Sequence, residues 1–330
     1  MANYVYISKT GDAARNLAMD AWLLDNVSRG DRVLYFYVNA KAVIIGRHQN
    51  AWKECRLSAM ERDGVQLVRR HTGGGAVYHD RGNLNFSFIT SEKDYDIERQ
   101  MRVITNAVRA LGLEPELSGR NDVLIEGRKF SGNAYGLAKG NRSHHGTLLV
   151  NADLSVFGDY LNVSAAKMRA KGVESVRSRV CNLSEFKNDV TVDTMRELVI
   201  SAFAAEFGKI HEYSFDETAL SEIDARTMVM HSWEWVYGKT PEFDYTVDHR
   251  FSFGETQLHF KLKEGLIKTC RVYSDSLNTD LAPALERIFT GKRFSSADMI
   301  AALYEEDESI TRSERDELTA YFEAYSPEKL

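Results

Sequence analysis

The sequence RRHTGGGAVYHD, residues 69–80, directly follows an apolar run, residues 65–68, with the composition of a buried strand. Successive glycines let the backbone turn its N–H groups toward an anion, because no Cβ atom stands in the way. Arg69 and Arg70 precede the glycines by two residues, and a guanidinium binds phosphate or carboxylate oxygens through a planar fork. The stretch therefore predicts a loop for a charged, phosphate-bearing ligand.

Three glycines between two strands are also typical of a flexible hairpin turn, which needs no ligand. The stretch fits neither of the two common phosphate-binding patterns. No Lys-Ser or Lys-Thr follows the glycines as in a P-loop, and no Gly-x-Gly-x-x-Gly opens a helix. A nucleotide bound by this chain must be held in another way.

The composition is that of an ordinary globular protein, with 330 residues, 43% of them hydrophobic and 27% charged. A net charge of −6 argues against a chain that coats nucleic acid or an anionic membrane. There is neither a signal-peptide pattern nor an apolar run near the ~18 residues of a membrane span. We therefore expect a cytoplasmic protein without nucleic-acid or membrane partners. Cys55, Cys181 and Cys270 are scattered and predict neither a disulfide framework nor a cysteine zinc site.

The apolar periodicity predicts helices and strands in mixed order. Helices are expected after a cap at Asp12, over 97–113 and over 191–207. Strands are expected over 33–38, 42–45, 84–90, 122–125, 129–134 and 145–151. Because helices are grouped between runs of strands, we expect an α+β fold with a mixed sheet.

The pattern of apolar and polar residues changes around Pro241, after which the two types alternate over 258–263. Short helical patterns follow near 281–288, 299–303 and 318–322. These features predict two domains, one over 1–244 and a small C-terminal α/β domain over 245–330.

A second group of polar residues lies about fifty residues after the glycines, in Gly119-Arg120-Asn121-Asp122 and Gly127-Arg128-Lys129. A hairpin that turns at Glu126-Gly127 would bring Asp122 and Lys129 close together on adjacent strands. Taken alone, such a pair is equally typical of a weak surface salt bridge on a turn.

Six motifs, in order and at compatible spacing, resemble the lipoate–protein ligases of the large, two-domain type. They are residues 69–80, Gly82-Asn83, Gly119-Arg120-Asn121-Asp122, Gly127-Arg128-Lys129, residues 144–149 (HHGTLL) and residues 175–180 (SVRSRV). The resemblance extends through residues 43–47, 52–55 and 274–278, and so covers essentially the whole chain. It implies a catalytic domain related in fold to biotin–protein ligases, with mixed sheets flanked by helices, plus a small C-terminal domain that moves during the reaction.

The resemblance also implies an activity. Members of the family activate free lipoate with ATP to lipoyl-AMP, release pyrophosphate, and transfer the lipoyl group to a lysine of a carrier domain. The carriers are the E2 subunits of 2-oxoacid dehydrogenase complexes and the glycine-cleavage H protein. By the same resemblance we expect a monomer that uses Mg²⁺ with ATP.

Family correspondence assigns Lys129 as the catalytic residue, between the lipoyl carboxyl and the α-phosphate, with Asp122 as a carboxylate near Mg²⁺. The corresponding residues for binding ATP or lipoate are Arg70, Gly73, Gly74, Gly75, Ala76, Val77, Tyr78, Asn83, Asn121, Asp122, Lys129, Arg142, His145 and Arg179. Arg142 lies in a polar segment, residues 139–143, that resembles the mobile adenylate-binding loop of the family.

Three other hypotheses stand beside this one. A zinc site from His71, His79, His144 and His145 is disfavoured, because no helical His-x-x-x-His pair exists and adjacent histidines on a strand face opposite sides. An ATP-independent octanoyl or lipoyl transferase would need a reactive thiolate, for which Cys181 is the candidate. A non-catalytic relative would bind lipoyl-adenylate without turnover. The sequence decides neither between lipoate and octanoate, which depends on pocket depth, nor the identity of a general base.

Overall fold

The computed structural model describes residues 2–119, 121–162, 180–239, 243–274, 276, 278–305 and 308–325. They form two compact units, Met1–Arg47 with Val65–His231, and His48–Gly64 with Ser232–Leu330. The predicted domain boundary between 244 and 245 lies inside a strand of the second unit. Compactness does not establish which segments fold independently, so the division into 1–244 and 245–330 stays a prediction.

Strands and helices alternate irregularly along the chain. The strands are β1 (Asn3–Ile7), β2 (Arg32–Tyr37), β3 (Ala42–Ile45), β4 (Gln66–Arg69), β5 (Val77–His79), β6 (Asn83–Ser91), β7 (Glu116–Ser118), β8 (Asp122–Ile125), β9 (Arg128–Ala138), β10 (Asn141–Leu149), β11 (Ile210–Glu212), β12 (Phe243–Phe251), β13 (Gly254–Lys263) and β14 (Leu266–Ser274). The α-helices are α1 (Ala13–Asn26), α2 (Ala51–Glu54), α3 (Leu57–Arg62), α4 (Ile97–Arg109), α5 (Phe157–Tyr160), α6 (Val192–Phe207), α7 (Glu217–His231), α8 (Trp233–Val236), α9 (Leu281–Phe289), α10 (Ser296–Leu303) and α11 (Arg312–Ala324).

The first unit is built on an eight-stranded sheet with the order β11-β1-β2-β6-β10-β9-β8-β7. Strand β1 pairs in parallel with β11 and β2, and the other neighbours are antiparallel, which confirms the expected mixed sheet. Helices α4 and α6 supply Val103, Ile104, Met195, Val199 and Phe203 to one apolar core with the sheet. Helix α1 packs against β6, β9 and β10.

A smaller sheet of the first unit has the order β4-β3-β5, with β4 parallel and β5 antiparallel to β3. The glycine-rich loop joins β4 to β5, and these two strands lie on opposite sides of β3. The loop therefore crosses the end of β3, and the alternative of a simple hairpin turn is wrong. A crossing loop exposes its backbone on an edge of the sheet instead of closing a ladder between its own two strands.

Helix ends follow the capping residues in the sequence. The Asp12 side chain accepts from the Ala14 N–H at the start of α1, and the Thr191 side chain accepts from the Thr194 N–H at the start of α6. Helix α6 ends at Gly208, as predicted, and this glycine has a φ of 93°. Helix α4 is shorter than the predicted 97–113, because its last turn tightens into 3₁₀-type bonds that lead to Gly112, with a φ of 77°.

The second unit contains the antiparallel sheet β12-β13-β14. Leu258, Phe260 and Leu262 alternate with exposed residues along β13, which confirms the predicted strand. Phe260 contacts the rings of Phe289 and Phe294, so the sheet shares an aromatic core with α9 and the segment that follows it. No helix in the described parts of either unit is both long and apolar enough to cross a membrane.

Candidate active site

A β-bulge sets the direction of the Lys129 side chain. Lys129 pairs with Leu124 and Ser131 pairs with Val123, so Phe130 is an extra residue on β9 with no partner on β8. Phe130 is fully buried in the apolar core, whereas Lys129 lines a cavity on the other face. By simple alternation Lys129 would share a face with Ser131, which pairs with the core residue Leu148. The bulge turns Lys129 from the core toward the cavity.

Small residues recur at every second position on the cavity face of β9, beyond the bulge. They are Gly132, Ala134, Gly136 and Ala138. The facing residues on β10 are Thr147, His145 and Ser143, paired in register with the first three. Because a larger side chain at these positions would fill the space above the sheet, the stripe leaves room for an elongated ligand. A Cβ on Gly136 would lie 2.6 Å from Ser143 Oγ.

The glycine loop is held close to β3. The Arg70 N–H donates to Ile45 O, and the Arg47 N–H donates to Thr72 O. Gly74 has a φ of 99°, a conformation that favours glycine, and a Cβ on Gly46 would lie 2.2 Å from Gly74 O. Among the described residues, none accepts a hydrogen bond from the backbone N–H groups of 73–76. These free donors can bind an anion.

Arg70 holds the loop from inside. Its Nε and Nη2 donate to Gly73 O at 3.1 and 2.7 Å, Nη2 also donates to Gly75 O at 2.8 Å, and Nη1 donates to Ile44 O at 3.1 Å. Burial lowers the pKa of Arg70 to about 10, so the guanidinium stays charged at neutral pH. Arg69 is fully buried and donates to the carbonyls of Gly46 and Arg47. Arg70 therefore shapes the loop through the carbonyl oxygens of the loop itself, and Arg69 holds the residues that follow β3 in the same way.

The predicted hairpin between β8 and β9 is confirmed. It turns at Glu126 and Gly127, which have φ values of 49° and 73°. Lys129 Nζ lies 2.6 Å from Asp122 Oδ1, and both side chains are about one-third exposed. The two residues thus form an ion pair at the edge of the cavity.

The cavity has a volume of about 700 Å³ and lies on the α1 face of the eight-stranded sheet. The predicted binding residues that line it are Arg70, Gly74, Gly75, Ala76, Val77, Tyr78, Asn83, Asn121, Lys129 and His145. Gly73 and Asp122 belong to the loop and the hairpin but are not among the described lining residues. Most of the predicted site residues therefore meet in one space.

One predicted site residue lies away from the cavity, and another falls outside the described residues. Arg142 is on β10 with the parity of His144, so its side chain leaves the sheet on the face opposite His145 and pairs with Glu92 at 2.7 Å. The segment 139–143 is a turn followed by the start of β10, which begins before the predicted residue 145. Arg179 lies outside the described residues, as do the lysines and arginines near it. The roles of Arg142 and Arg179 in binding stay predictions.

His145 belongs to a buried polar group that motif analysis finds only in part. Its Nε2 lies 3.1 Å from Thr72 Oγ1, and its Nδ1 lies 3.9 Å from Asp20 Oδ2. Burial lowers the pKa of His145 and raises the pKa of Asp20. Asp20 and Thr72 were missed as site residues, although an aspartate on the apolar face of α1 was a usable signal. This group gives one wall of the cavity polar character.

Cys181 lies on the core side of the sheet. Its thiol is fully buried, lies 3.5 Å from Arg128 O and belongs to the apolar core. Burial raises the pKa of Cys181 to about 11. A thiol in these surroundings is protonated at neutral pH, which argues against the predicted alternative of a thiolate-dependent transferase.

Family models match most of the chain. The lipoyl protein ligase A/B catalytic domain matches residues 12–204, and the bacterial lipoate protein ligase C-terminus matches residues 240–322. A lipoate-protein ligase A from Psychrobacter cryohalolentis is 38% identical over 297 residues, which cover 87% of each chain.

Solved structures show the same similarity. P. falciparum LipL1 in complex with lipoate is 27% identical, with a TM-score of 0.64 over 97% of this chain and 99% of that one. A bipartite lipoate protein ligase from Thermoplasma acidophilum, studied with its E2 lipoyl domain, is 33% identical. Its TM-score is 0.66, and the match covers 72% of this chain and 97% of that one. A lipoate-protein ligase A bound with ATP is 30% identical. Its TM-score is 0.64, and the match covers 72% of this chain and 100% of that one.

Proposed function

The chain belongs to the lipoate-protein ligase A family, and from this premise we propose how its own residues carry out the two steps of the reaction. The protein is an enzyme that activates lipoate and transfers the lipoyl group to protein. ATP and lipoate are bound in related ligases.

Lys129 carries the activation step. A lipoate carboxylate oxygen attacks the α-phosphorus of ATP, and pyrophosphate leaves, so two anions must approach each other while charge builds on the phosphoryl oxygens. An ammonium near both groups offsets this repulsion, and Lys129 is aimed into the cavity by the bulge at Phe130. A compact point charge can follow the reacting oxygens as the charge shifts.

The glycine loop binds the phosphates. The N–H groups of residues 73–76 have no acceptor among the described residues and offer several donors to one anion, and Arg70 adds a fixed positive charge beneath them. Because Arg70 is held by backbone carbonyls, its charge is in place before ATP binds. Preorganised donors cost little reorganisation when charge develops.

The stripe on β9 holds the acyl chain. Gly132, Ala134, Gly136 and Ala138 leave space along the strand that begins at Lys129. A lipoate whose carboxylate reaches Lys129 can place its hydrocarbon chain along this stripe. Apolar burial then supplies binding energy remote from the reacting atoms.

The residues near the hairpin fit a Mg²⁺ ion that arrives with ATP. Among the described residues, no group of three or more His, Cys, Asp or Glu could hold a metal by itself. Mg²⁺ commonly takes one or two protein carboxylates and completes its shell with water and substrate phosphates. Asp122 would supply such a carboxylate, and the ion would neutralise phosphate charge.

In the second step a neutral carrier lysine attacks the acyl-phosphate carbonyl, and AMP leaves. Lys129 stabilises the oxyanion that forms on the carbonyl oxygen. We propose the lipoyl domains of 2-oxoacid dehydrogenase E2 subunits and the glycine-cleavage H protein as carriers. An E2 lipoyl domain was studied with the archaeal relative, which supports the first of these. A monomeric state and a cytoplasmic location also stay proposals.

The observation that carries the proposal is that the Lys129 side chain and the glycine loop line the same cavity. The test incubates the enzyme with free lipoate, ATP and an acceptor lipoyl domain. We expect lipoate-dependent pyrophosphate release and a mass increase of one lipoyl group at the acceptor lysine. Transfer from an acylated donor protein without ATP, and no pyrophosphate with free lipoate, would overturn it.

A further inference from the structure

His79 has an unusual place in the cavity wall. Its side chain is 5% exposed and lines the cavity. Nδ1 lies 3.0 Å from Asn39 Nδ2, whereas Nε2 is buried and has no hydrogen-bond partner within the described chain. His79 therefore lines the ligand space and keeps one buried ring nitrogen without a hydrogen-bond partner among the described residues, and the proposed reaction steps do not use it.

A chain of hydrogen bonds fixes which nitrogen carries the proton. The carbonyl oxygen of Thr10 can only accept, so the Asn16 atom 3.1 Å from it is the amide nitrogen Nδ2. That nitrogen also donates to Asn39 Oδ1 at 2.9 Å. Asn39 must then present its NH₂ group to His79, and Nδ1 of His79 must accept. A neutral ring that accepts at Nδ1 carries its proton on Nε2.

The other end of the chain supports the same orientation. Asn16 Oδ1 accepts from Ser8 Oγ at 2.6 Å and from Tyr35 OH at 3.1 Å. Asn16 is fully buried, and a reversed amide would place its oxygen against the acceptors Thr10 O and Asn39 Oδ1. Burial also lowers the pKa of His79 to about 3, which keeps the ring neutral.

We propose that His79 is a neutral hydrogen-bond donor, locked as the Nε2–H tautomer, that binds an acceptor atom of the acyl-adenylate or of the substrates that form it. This proposal rests on the proposed function and adds a ligand-binding residue to the same site. The two sources of the acceptor are the nucleotide and the acyl substrate, and the test separates them.

A buried donor without a partner destabilises the free protein, and a ligand acceptor removes this penalty on binding. Unlike a histidinium, a neutral donor adds no charge that would compete with Arg70 for the phosphates. A locked tautomer also loses no orientational freedom when the ligand arrives.

The binding test compares two variants with the wild type. His79→Asn keeps an oxygen that accepts from Asn39 but removes the donor at Nε2, and His79→Gln can place an amide N–H near the Nε2 position. We expect His79→Asn to weaken binding of one ligand about tenfold and His79→Gln to restore most of it. Calorimetric titration with ATP, with lipoate and with a non-hydrolysable acyl-adenylate analogue identifies the part of the ligand that meets the donor.

The tautomer itself is measured in the free wild-type enzyme by ¹⁵N NMR of the His79 ring at neutral pH. A protonated Nε2 and an unprotonated Nδ1 are expected, and this result does not depend on ligase activity. An Nδ1–H tautomer would overturn the proposal. So would a folded His79→Asn variant that binds all three ligands like the wild type. Failure of the wild type itself to release pyrophosphate would instead count against the proposed function.

Discussion

The ion pair between Lys129 and Asp122 is weak enough for substrate to break. Both side chains are about one-third exposed, and ion pairs that solvent reaches contribute about 0–1 kcal/mol. A phosphate oxygen can therefore replace Asp122 as the partner of the ammonium at little cost. Asp122 keeps the lysine in place in the free enzyme without competing strongly with the substrate.

Replacing Lys129 by alanine tests this role. Lys129→Ala should lower the rate of adenylate formation by about 10²–10³-fold or more, because the charge that offsets phosphate repulsion is gone. Lipoate-dependent pyrophosphate release measures the rate, and circular dichroism checks the fold. Near-normal turnover in this variant would refute the role of the ammonium.

The matched control is Arg128→Ala on the neighbouring residue. Arg128 also carries a positive charge on β9, but it pairs with Glu185 at 2.6 Å and is not among the described residues that line the cavity. The control should keep adenylation close to that of the wild type and lose about 0–1 kcal/mol of stability. A large loss of activity in both variants would point to a general charge effect.

At the scale of single elements, the small residues of β9 set the space for the acyl chain. A Cβ on Gly136 would lie 2.6 Å from Ser143 Oγ and 3.3 Å from Leu24 Cδ2. Gly136→Val should therefore raise KM for lipoate about tenfold, since extra methyl groups in a packed space commonly cost about 1–3 kcal/mol. KM for ATP should change little. Steady-state kinetics with each substrate varied in turn measures both values.

Tyr135→Val provides the control for that prediction. Tyr135 is the preceding residue, has the opposite strand parity and is 45% exposed. Valine is favourable in strands, so both variants test the same residue type on the two faces of β9. Equal effects of the two substitutions on KM for lipoate would show that the stripe does not hold the acyl chain.

Buried histidines on β5 and β10 predict how stability depends on pH. Burial lowers the pKa of His79 and of His144 to about 3, whereas an unfolded histidine titrates near 6.5. A group with a lowered folded pKa stabilises the fold above 6.5, and this stability is lost as the pH falls. Each histidine should remove about 1.4 kcal/mol of unfolding free energy per pH unit below that value.

Urea unfolding between about pH 7 and about pH 5 measures this slope. The His144→Gln variant should show a shallower slope by one proton, because glutamine does not titrate and can still donate to Asn133 Oδ1. An unchanged slope in this variant would mean that His144 does not titrate as a buried group.

Sequence patterns predict where helices and strands lie better than they predict the face of the sheet on which a side chain lies. The cap at Asp12 marked a helix start correctly, because a cap is a local hydrogen bond that the sequence encodes directly. The bulge at Phe130 could not be predicted, since it depends on the register of β9 against β8. Alternation alone would have turned Lys129 into the core.

At the scale of the whole molecule, the cavity combines walls from distant segments. Motifs identified the glycine loop and the hairpin, which are continuous stretches with unusual composition. Asp20, Tyr37 and Asn85 also line the cavity, but they come from α1, β2 and β6 and belong to no motif. Only the strand order of the sheet brings them together, so local sequence analysis could not find them.

Every cysteine of the chain is buried and free, which predicts that ligase activity does not need a thiol. Burial raises the pKa of Cys181 to about 11 and that of Cys270 to about 12, so far fewer than ~1 in 1,000 of these thiols ionise at neutral pH. Iodoacetamide treatment of the native enzyme should therefore label little and leave lipoate-dependent pyrophosphate release intact, whereas denaturant should expose all three thiols. The same treatment of Cys181→Ala gives the control. Rapid inactivation of the wild type, but not of Cys181→Ala, would restore the thiolate mechanism.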